Sequence, residues 1–271
     1  MAVTADTHMH SHFSGDSEAP MESMVLSAVQ KGLRRICFTE HLDIDYKSPD
    51  GSDDGIFDLN IDSYLYELLD LRAKYKNAID ILFGIEIGVQ PHLRRELALT
   101  GKSREFDFIL HSTHMVGGID PYYKEFFEAN DPAHAMERYF EEVRKNLKTF
   151  DNFDSLAHLD YCCRYLPAGP DYDYSLVSDM ADDILSFLIE HEKALELNTG
   201  GLGKSGGVMN PRSEILKRYR ELGGELVTIG ADAHRPEDIA LGFDQACELL
   251  KSLGFKYYHV YQNRIPEAFR L

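Results

Sequence analysis

The chain has little cysteine, a deficit of positive charge and no long apolar run, and each shortage removes a class of protein. Four cysteines (Cys37, Cys162, Cys163 and Cys247) in 271 residues are too few for a disulfide scaffold, and none has zinc-ribbon spacing. They read as packing residues, and a reduced cytoplasm is the expected setting. Lys and Arg number 28 against 46 Asp and Glu, a net charge of -18. That sign argues against nonspecific nucleic-acid binding, which needs a basic surface. No apolar stretch approaches the ~20 residues that span a bilayer. No basic segment leads into a long apolar one at the N-terminus, so no secretory signal is visible. Internal repeats and low-complexity tails are missing as well. What is present is an apolar fraction of 44%, enough for a substantial core.

Short apolar runs alternate with amphipathic helical patterns along the whole length. Strands are expected at 3–8, 34–39, 79–85, 106–111, 154–159, 193–198 and 226–231, each short and bounded as buried parallel strands are. Helices are expected at 20–31, 62–76, 132–149, 175–191, 213–222 and 236–252. Pro20, Pro132 and Pro236 mark starts, and Gly32, Gly223 and Gly254 mark ends. Seven β-α units in series, with no break in composition, read as one domain over residues 1–271, a (β/α) barrel. A late run at 256–261 adds a short strand before a terminal turn at Pro266. The Asp-rich loop at 42–60 is too long for a plain connector and reads as an active-site lid. A Gly-rich stretch, Thr199 to Gly207, follows the sixth strand on the same face.

The chemistry-bearing residues sit where these runs end. His8-Met9-His10 closes the first, and on a strand residues i and i+2 point the same way. Asp232-Ala233-His234 repeats that spacing at the last strong run, and in a closed barrel the first and last strands are neighbours. Glu86 lies inside Leu82-Phe83-Gly84-Ile85-Glu86-Ile87-Gly88, where an unpaired carboxylate costs several kcal/mol. Glu40 or His41 ends the second run, with the histidine preferred. His111 and His114 end the fourth, and His158 ends the fifth. Neutral imidazoles and carboxylates gathered on one face make a metal site with more than one ion. His12 is near enough to support it; His92, His134, His191 and His259 read as surface or packing residues.

In this order, these residues resemble the polymerase and histidinol phosphatase (PHP) family of metal-dependent phosphoesterases. The similarity rests on Asp6-Thr7-His8-Met9-His10, Phe13-Ser14-Gly15-Asp16-Ser17, Thr39-Glu40-His41-Leu42-Asp43 and Gly84-Ile85-Glu86. It continues through Phe106 to His114, His158-Leu159-Asp160 and Gly230-Ala231-Asp232-Ala233-His234. Glu40-His41-Leu42-Asp43 and Gly118-Ile119-Asp120-Pro121-Tyr122-Tyr123 favour the monofunctional histidinol-phosphatase branch. The resemblance implies a distorted seven-stranded (β/α) TIM-like barrel with three divalent ions. His8, His10, Glu86 and Asp232 would hold the first ion. Glu86, His114 and His158 would hold the second, and Asp16, His41 and His234 the third. Mixed N/O ligands suit Zn, Mn or Fe.

The expected reaction is hydrolysis of a small phosphate monoester, L-histidinol phosphate first. Ions of this kind lower the pKa of water from about 15.7 toward roughly 7 and offset phosphate charge. Arg164 is the first candidate for a phosphate-binding cation, and relatives carry an Arg there. The second cation expected after the sixth strand is in an altered context here, with Lys204 or Arg212 as substitutes. Asp160 or His234 is placed to protonate the leaving alcohol, and Asp232 joins them as a catalytic candidate. Asp43 and Asp45 in the lid are candidates for the substrate amine, and His111 for a substrate-facing role. The competing readings are a PHP enzyme for a nucleotide or other small phosphate, an amidohydrolase, and a degenerate scaffold. An amidohydrolase usually bridges its metals with Lys, where Glu86 stands here, and a scaffold would have lost ligands.

Overall fold

The apolar runs become strands because their β-branched and aromatic side chains are covered on both faces, by the barrel interior and by the helices. In the computed structural model, which describes residues 3–129, 132–203 and 207–271, the strands are β1 (Ala5–Met9), β2 (Arg35–Phe38), β3 (His41–Leu42), β4 (Asp80–Gly88), β5 (Phe108–Ser112), β6 (Ser155–Leu156), β7 (Ala194–Asn198) and β8 (Val227–Gly230). Their order is β1-β2-β4-β5-β6-β7-β8, every neighbouring pair parallel. The two-residue β3 continues the line of β2 and pairs His41 with Glu86 of β4. The circle is closed at β1 and β8 by a parallel bridge between Met9 and Ala233. There the His10 N–H donates to the Ala233 carbonyl and the Asp232 N–H to the His8 carbonyl. The expected distorted seven-stranded barrel is the fold.

Around it lie α1 (Met21–Gln30), α2 (Ile61–Tyr75), α3 (Arg94–Thr100), α4 (Lys124–Ala129), α5 (Pro132–Thr149), α6 (Ser178–Glu190), α7 (Ser213–Glu221) and α8 (Phe243–Ser252). Asn60 caps α2 by accepting the Ser63 N–H at 3.0 Å. The core between strands and helices is rich in Phe, including Phe38, Phe108, Phe140, Phe153 and Phe243, all buried. Each such side chain contributes about 1.5–3 kcal/mol. The largest boundary departure from the sequence reading is a helix start. The helix expected from Pro236 begins only at Phe243, because Pro236–Asp238 makes a single 3-10 turn and Gly242 is left-handed at φ 69°. The short α3 and α4 lie in segments with too few apolar residues to show a period.

The end of the chain is a hairpin, β9 (Tyr257–Gln262) and β10 (Ile265–Arg270). Its turn is Asn263-Arg264, both at positive φ (51° and 66°), not Pro266. Pro266 pairs with Tyr261 in a two-stranded sheet, where an edge strand tolerates its missing N–H. The hairpin packs under the N-terminal ends of the barrel strands. The Asn263 N–H donates to the Asp107 carboxylate, the Arg264 N–H to the Asp107 carbonyl, and the Arg264 guanidinium to Asp154. That end is thereby shut, and the opposite end carries the loops and the cavity.

Candidate metal centre and substrate cavity

Glu86 stands at the middle of the C-terminal mouth, fully buried, with each carboxylate oxygen facing its own set of partners. Oε2 lies 3.1 Å from His8 Nε2, 3.4 Å from His10 Nε2 and 2.9 Å from His41 Nδ1. Oε1 lies 2.9 Å from His158 Nε2 and 3.2 Å from His114 Nε2, and accepts the Ser112 hydroxyl at 2.6 Å. Asp232 Oδ1 completes the first group, 3.6 Å from His8 Nε2 and 3.4 Å from His10 Nε2, while those two nitrogens are 3.1 Å apart. Four bonds of 2.0–2.1 Å in a tetrahedron put donors about 3.3 Å from one another. The spacing of this nest fits a divalent ion. On the outer side His234 Nε2 is 2.9 Å and His41 Nε2 3.7 Å from Asp16 Oδ2. The His10 ring stacks against those of His41 and His234, with centroids 4.1 and 4.2 Å away.

The far nitrogens of four of these rings are held. His8 Nδ1 is 2.7 Å from Glu196, His114 Nδ1 2.7 Å from Asp43, His10 Nδ1 3.0 Å from the Ser14 hydroxyl, and His234 Nδ1 2.9 Å from the Asp232 carbonyl. Such partners fix ring orientation and leave Nε2 bare for a cation. Backbone space is kept for them: a Cβ on Gly88 would sit 2.1 Å from Asp43 Oδ1, and one on Gly230 2.6 Å from Glu196 Oε1. His158 and Asp232 adopt positive φ (25° and 52°), an unfavourable region for both. The electrostatics agree with the geometry. Burial alone would raise the Glu86 carboxyl, yet His8, His41 and His114 hold it well below the usual range. Burial would lower His8, yet Glu196, Glu86 and Asp232 raise it well above. His10 is held well below its ordinary value by burial and by His41 and His234, so it stays neutral as a ligand must. The carboxylates call for positive charge at the centre, and a divalent ion would supply it.

Beside the nest opens a cavity of about 380 Å³. Asp16, His41, His114, His158, Asp232, His234 and Arg164 line one end. The Arg164 guanidinium is buried, donating to Asp232 Oδ2 (3.2 Å), Asn198 (2.7 Å) and Asn210 (2.6 Å). Tyr161 runs away from that end. Its ring lies 5.1 Å from that of His158, and its hydroxyl donates to Asp120 at 3.4 Å. Asp120 also accepts from Tyr46 OH (3.1 Å) and the Tyr122 N–H (2.8 Å), and burial pushes its carboxyl up to about 6. Asp53, bound by Tyr123 OH, lines the cavity as well. One pole is thus suited to an anion and the other to a cation.

The PHP domain profile matches residues 6–200. The chain belongs to the PHP domain family. It is 34% identical over 255 residues to the histidinol-phosphatase of Lactococcus lactis, covering 92% of this chain and 91% of that one. It is 34% identical over 253 residues to a probable histidinol-phosphatase of Clostridium acetobutylicum, covering 93% and 94%. The crystal structure of the L. lactis histidinol phosphate phosphatase, complexed with Zn, L-histidinol and phosphate, superposes with a TM-score of 0.89 at 32% identity, over 97% of this chain and 98% of that one.

This PHP domain brings together His8, His10, Asp16, His41, Glu86, His114, His158, Asp232, His234 and Arg164, as expected from sequence. It separates the others. Asp160 accepts from Asn210, Tyr172 OH and the Arg212 N–H and faces a different cavity, so it fastens a loop and does not reach a leaving group. The Arg212 side chain is paired with Glu214 and the Tyr172 carbonyl on that same far side. Lys204 lies outside the described residues. Asp43 orients His114, while Asp45 pairs on the surface with His92 at 3.2 Å, so neither lines the cavity. The His111 ring packs against Phe150 and Phe153, with burial lowering its pKa to about 4. Along β5 it points opposite to Ser112, away from Glu86. Sequence reasoning missed Glu196, Tyr46 and Tyr161, and it gave Asp120, Tyr122 and Tyr123 no role beyond a branch motif. Glu196 carried the same signal as Glu86, a carboxylate inside the apolar run Ala194-Leu195-Glu196-Leu197.

Proposed function

We infer that this chain hydrolyses L-histidinol phosphate to L-histidinol and phosphate, as a single catalytic unit holding three divalent ions (Zn, Mn or Fe). The observation that carries the reading is Glu86, whose two oxygens face separate histidine groups at the floor of a cavity with an anionic and a cationic pole. His8, His10, Glu86 and Asp232 would hold the first ion; Glu86, His114 and His158 the second; Asp16, His41 and His234 the third. Bound divalent ions supply acidified water and charge neutralisation for a phosphoryl group.

The residues do the rest. Arg164, preorganised by Asp232, Asn198 and Asn210, orients the phosphate against the nest and offsets charge that grows as the ester bond breaks. Of the three candidate groups for proton handling, Asp232 and His234 line the cavity and Asp160 does not. Tyr161 and the lid residues Ile56 and Phe57 narrow the cavity and exclude water. Asp120 and Asp53 face the amine and imidazole of the substrate, a role the sequence reading gave to Asp43 and Asp45. This acidic pole disfavours a nucleotide, whose remaining groups carry no cation. Among the described residues no helix is long and apolar enough to cross a membrane, and the four cysteines are free and buried. The free thiols suit a reducing compartment such as the cytoplasm.

The test is phosphate release from a panel of monoesters with histidinol phosphate included, before and after chelation, with Arg164→Ala alongside. Histidinol phosphate should be the preferred substrate, chelation should abolish turnover, and the Arg change should mainly raise KM. Equal turnover of nucleotides, or activity indifferent to chelator, would overturn the assignment.

A further inference from the structure

Glu40 immediately precedes His41 yet turns away from the cavity, and the reaction outlined above makes no use of it. Its buried carboxylate accepts the Ser11 N–H at 3.0 Å and the Ser11 hydroxyl, and it accepts the Ser14 hydroxyl through Oε2. Ser14 Oγ is a hub. Besides Glu40 it touches His10 Nδ1 at 3.0 Å and accepts the His41 backbone N–H at 3.0 Å. Its own position is fixed by a turn in which the Ser14 N–H donates to the Ser11 carbonyl at 2.9 Å.

A hydroxyl has one proton and two lone pairs. Glu40 takes the proton and the His41 N–H takes one lone pair, so a lone pair is all that Ser14 can show to His10 Nδ1. That contact is a hydrogen bond only if Nδ1 carries the proton. A neutral imidazole protonated at Nδ1 is bare at Nε2. His10 Nε2 is the atom that meets Glu86, Asp232 and His8 at 3.1–3.4 Å. If the Ser14 hydroxyl turned round, Nδ1 would become the acceptor, and an N–H would point into the nest.

We propose that Glu40 is a positioning residue that sets the tautomer of His10 through Ser14, and thereby keeps Nε2 open to a divalent cation. The proposal rests on reading His10 as a metal ligand. What the relay needs at Glu40 is an acceptor, not a charge. Oε2 receives both the Ser14 hydroxyl and the Ser11 N–H, and that N–H demands an oxygen there. Glutamine, with its carbonyl oxygen in that place, keeps the relay; leucine, of similar size, removes it.

The test uses the full chain. In chelated protein, long-range 15N–1H correlation spectra of the imidazoles read the His10 tautomer, and chelator competition reads Zn²⁺ affinity. Wild type and Glu40→Gln should show His10 protonated at Nδ1. Glu40→Leu and Ser14→Ala should show a mixed or Nε2-protonated ring and bind Zn²⁺ about ten- to a hundredfold more weakly, the range for losing an outer partner of a ligating imidazole. If Glu40→Leu does not fold, Ser14→Ala carries the test by deleting one hydroxyl. An Nε2-protonated His10 in wild type would overturn the proposal, as would Ser14→Ala with unchanged tautomer and affinity. So would a Glu40→Gln that falls as far as Glu40→Leu. Failure of the ligand reading looks different: wild type would bind no Zn²⁺ while the tautomers behaved as described.

Discussion

At the closed end of the barrel Asp107 and Asp154 meet cations that belong to the chain; at the open end Glu86 and Asp232 meet mainly imidazoles. Asp107 accepts from Arg72 and from the N–H groups of Phe83 and Asn263, and Asp154 accepts from Arg264 and the Ile109 N–H. Every one of those partners is covalently in place once the hairpin docks. Among the described residues Glu86 has five histidines around it and no Lys or Arg, and Arg164 reaches only the outer oxygen of Asp232. Burying a carboxylate is tolerable only with a compensating charge or donors. One end of the molecule therefore completes its own electrostatics, and the other is built to take charge from outside. The first is architecture and the second is chemistry.

The sharpest way to break that contrast is Glu86→Gln. Turnover should fall by about 10²–10³-fold or more, with less metal retained on purification, read by phosphate assay and metal analysis together. Full metal content with full turnover would mean that the mouth needs no outside charge. The counterpart at the closed end is Arg264→Met, which removes the hydrogen-bonded cation from Asp154. It should cost about 2 kcal/mol in urea unfolding and leave metal content and activity per folded molecule unchanged.

Asp120→Asn sharpens the contrast within the mouth. Burial holds that carboxyl up at about 6, so it is neutral below that pH and anionic above it. Attraction for an ammonium is switched on as pH rises through about 6, and KM for the cationic substrate should drop across that interval. The Asn variant should lose this pH limb and raise KM about tenfold, the equivalent of one hydrogen bond to a charged group, with little change for a neutral phosphate monoester. The smallest effect is expected for Arg212→Ala. Its guanidinium serves Glu214 and the Tyr172 carbonyl, so steady-state constants should stay within about twofold, the usual reach of a surface change.

Much of this was legible in the sequence because metal chemistry demands unusual residues in ordinary strands. Glu86 and the His-x-His pair are anomalies in apolar runs, and the strand periods around them place the mouth. The substrate contacts were harder. Arg212 and Asp160 lie near the right strands in sequence, but the chain turns at Asn210 and Asp160 so that both serve a neighbouring loop. Asp43 was read as a substrate group because the lid is acidic. Only the close approach over Gly88 shows that it belongs to His114. His111 lies one residue before Ser112 at the end of its strand, and a period of two sends it to the helices. The hairpin turn at Asn263-Arg264 escaped notice because Pro266 is the louder signal, although an edge strand accepts it.

The seam between Met9 and Ala233 has a temporal consequence. The ribosome releases His8 and His10 long before Asp232 and His234, so the growing chain carries half a claw while everything between them is made. Completion of the first and third proposed sites must wait for the last parallel strand to slot beside the first, and a protease cut that frees that strand would carry Asp232 and His234 away from the other ligands.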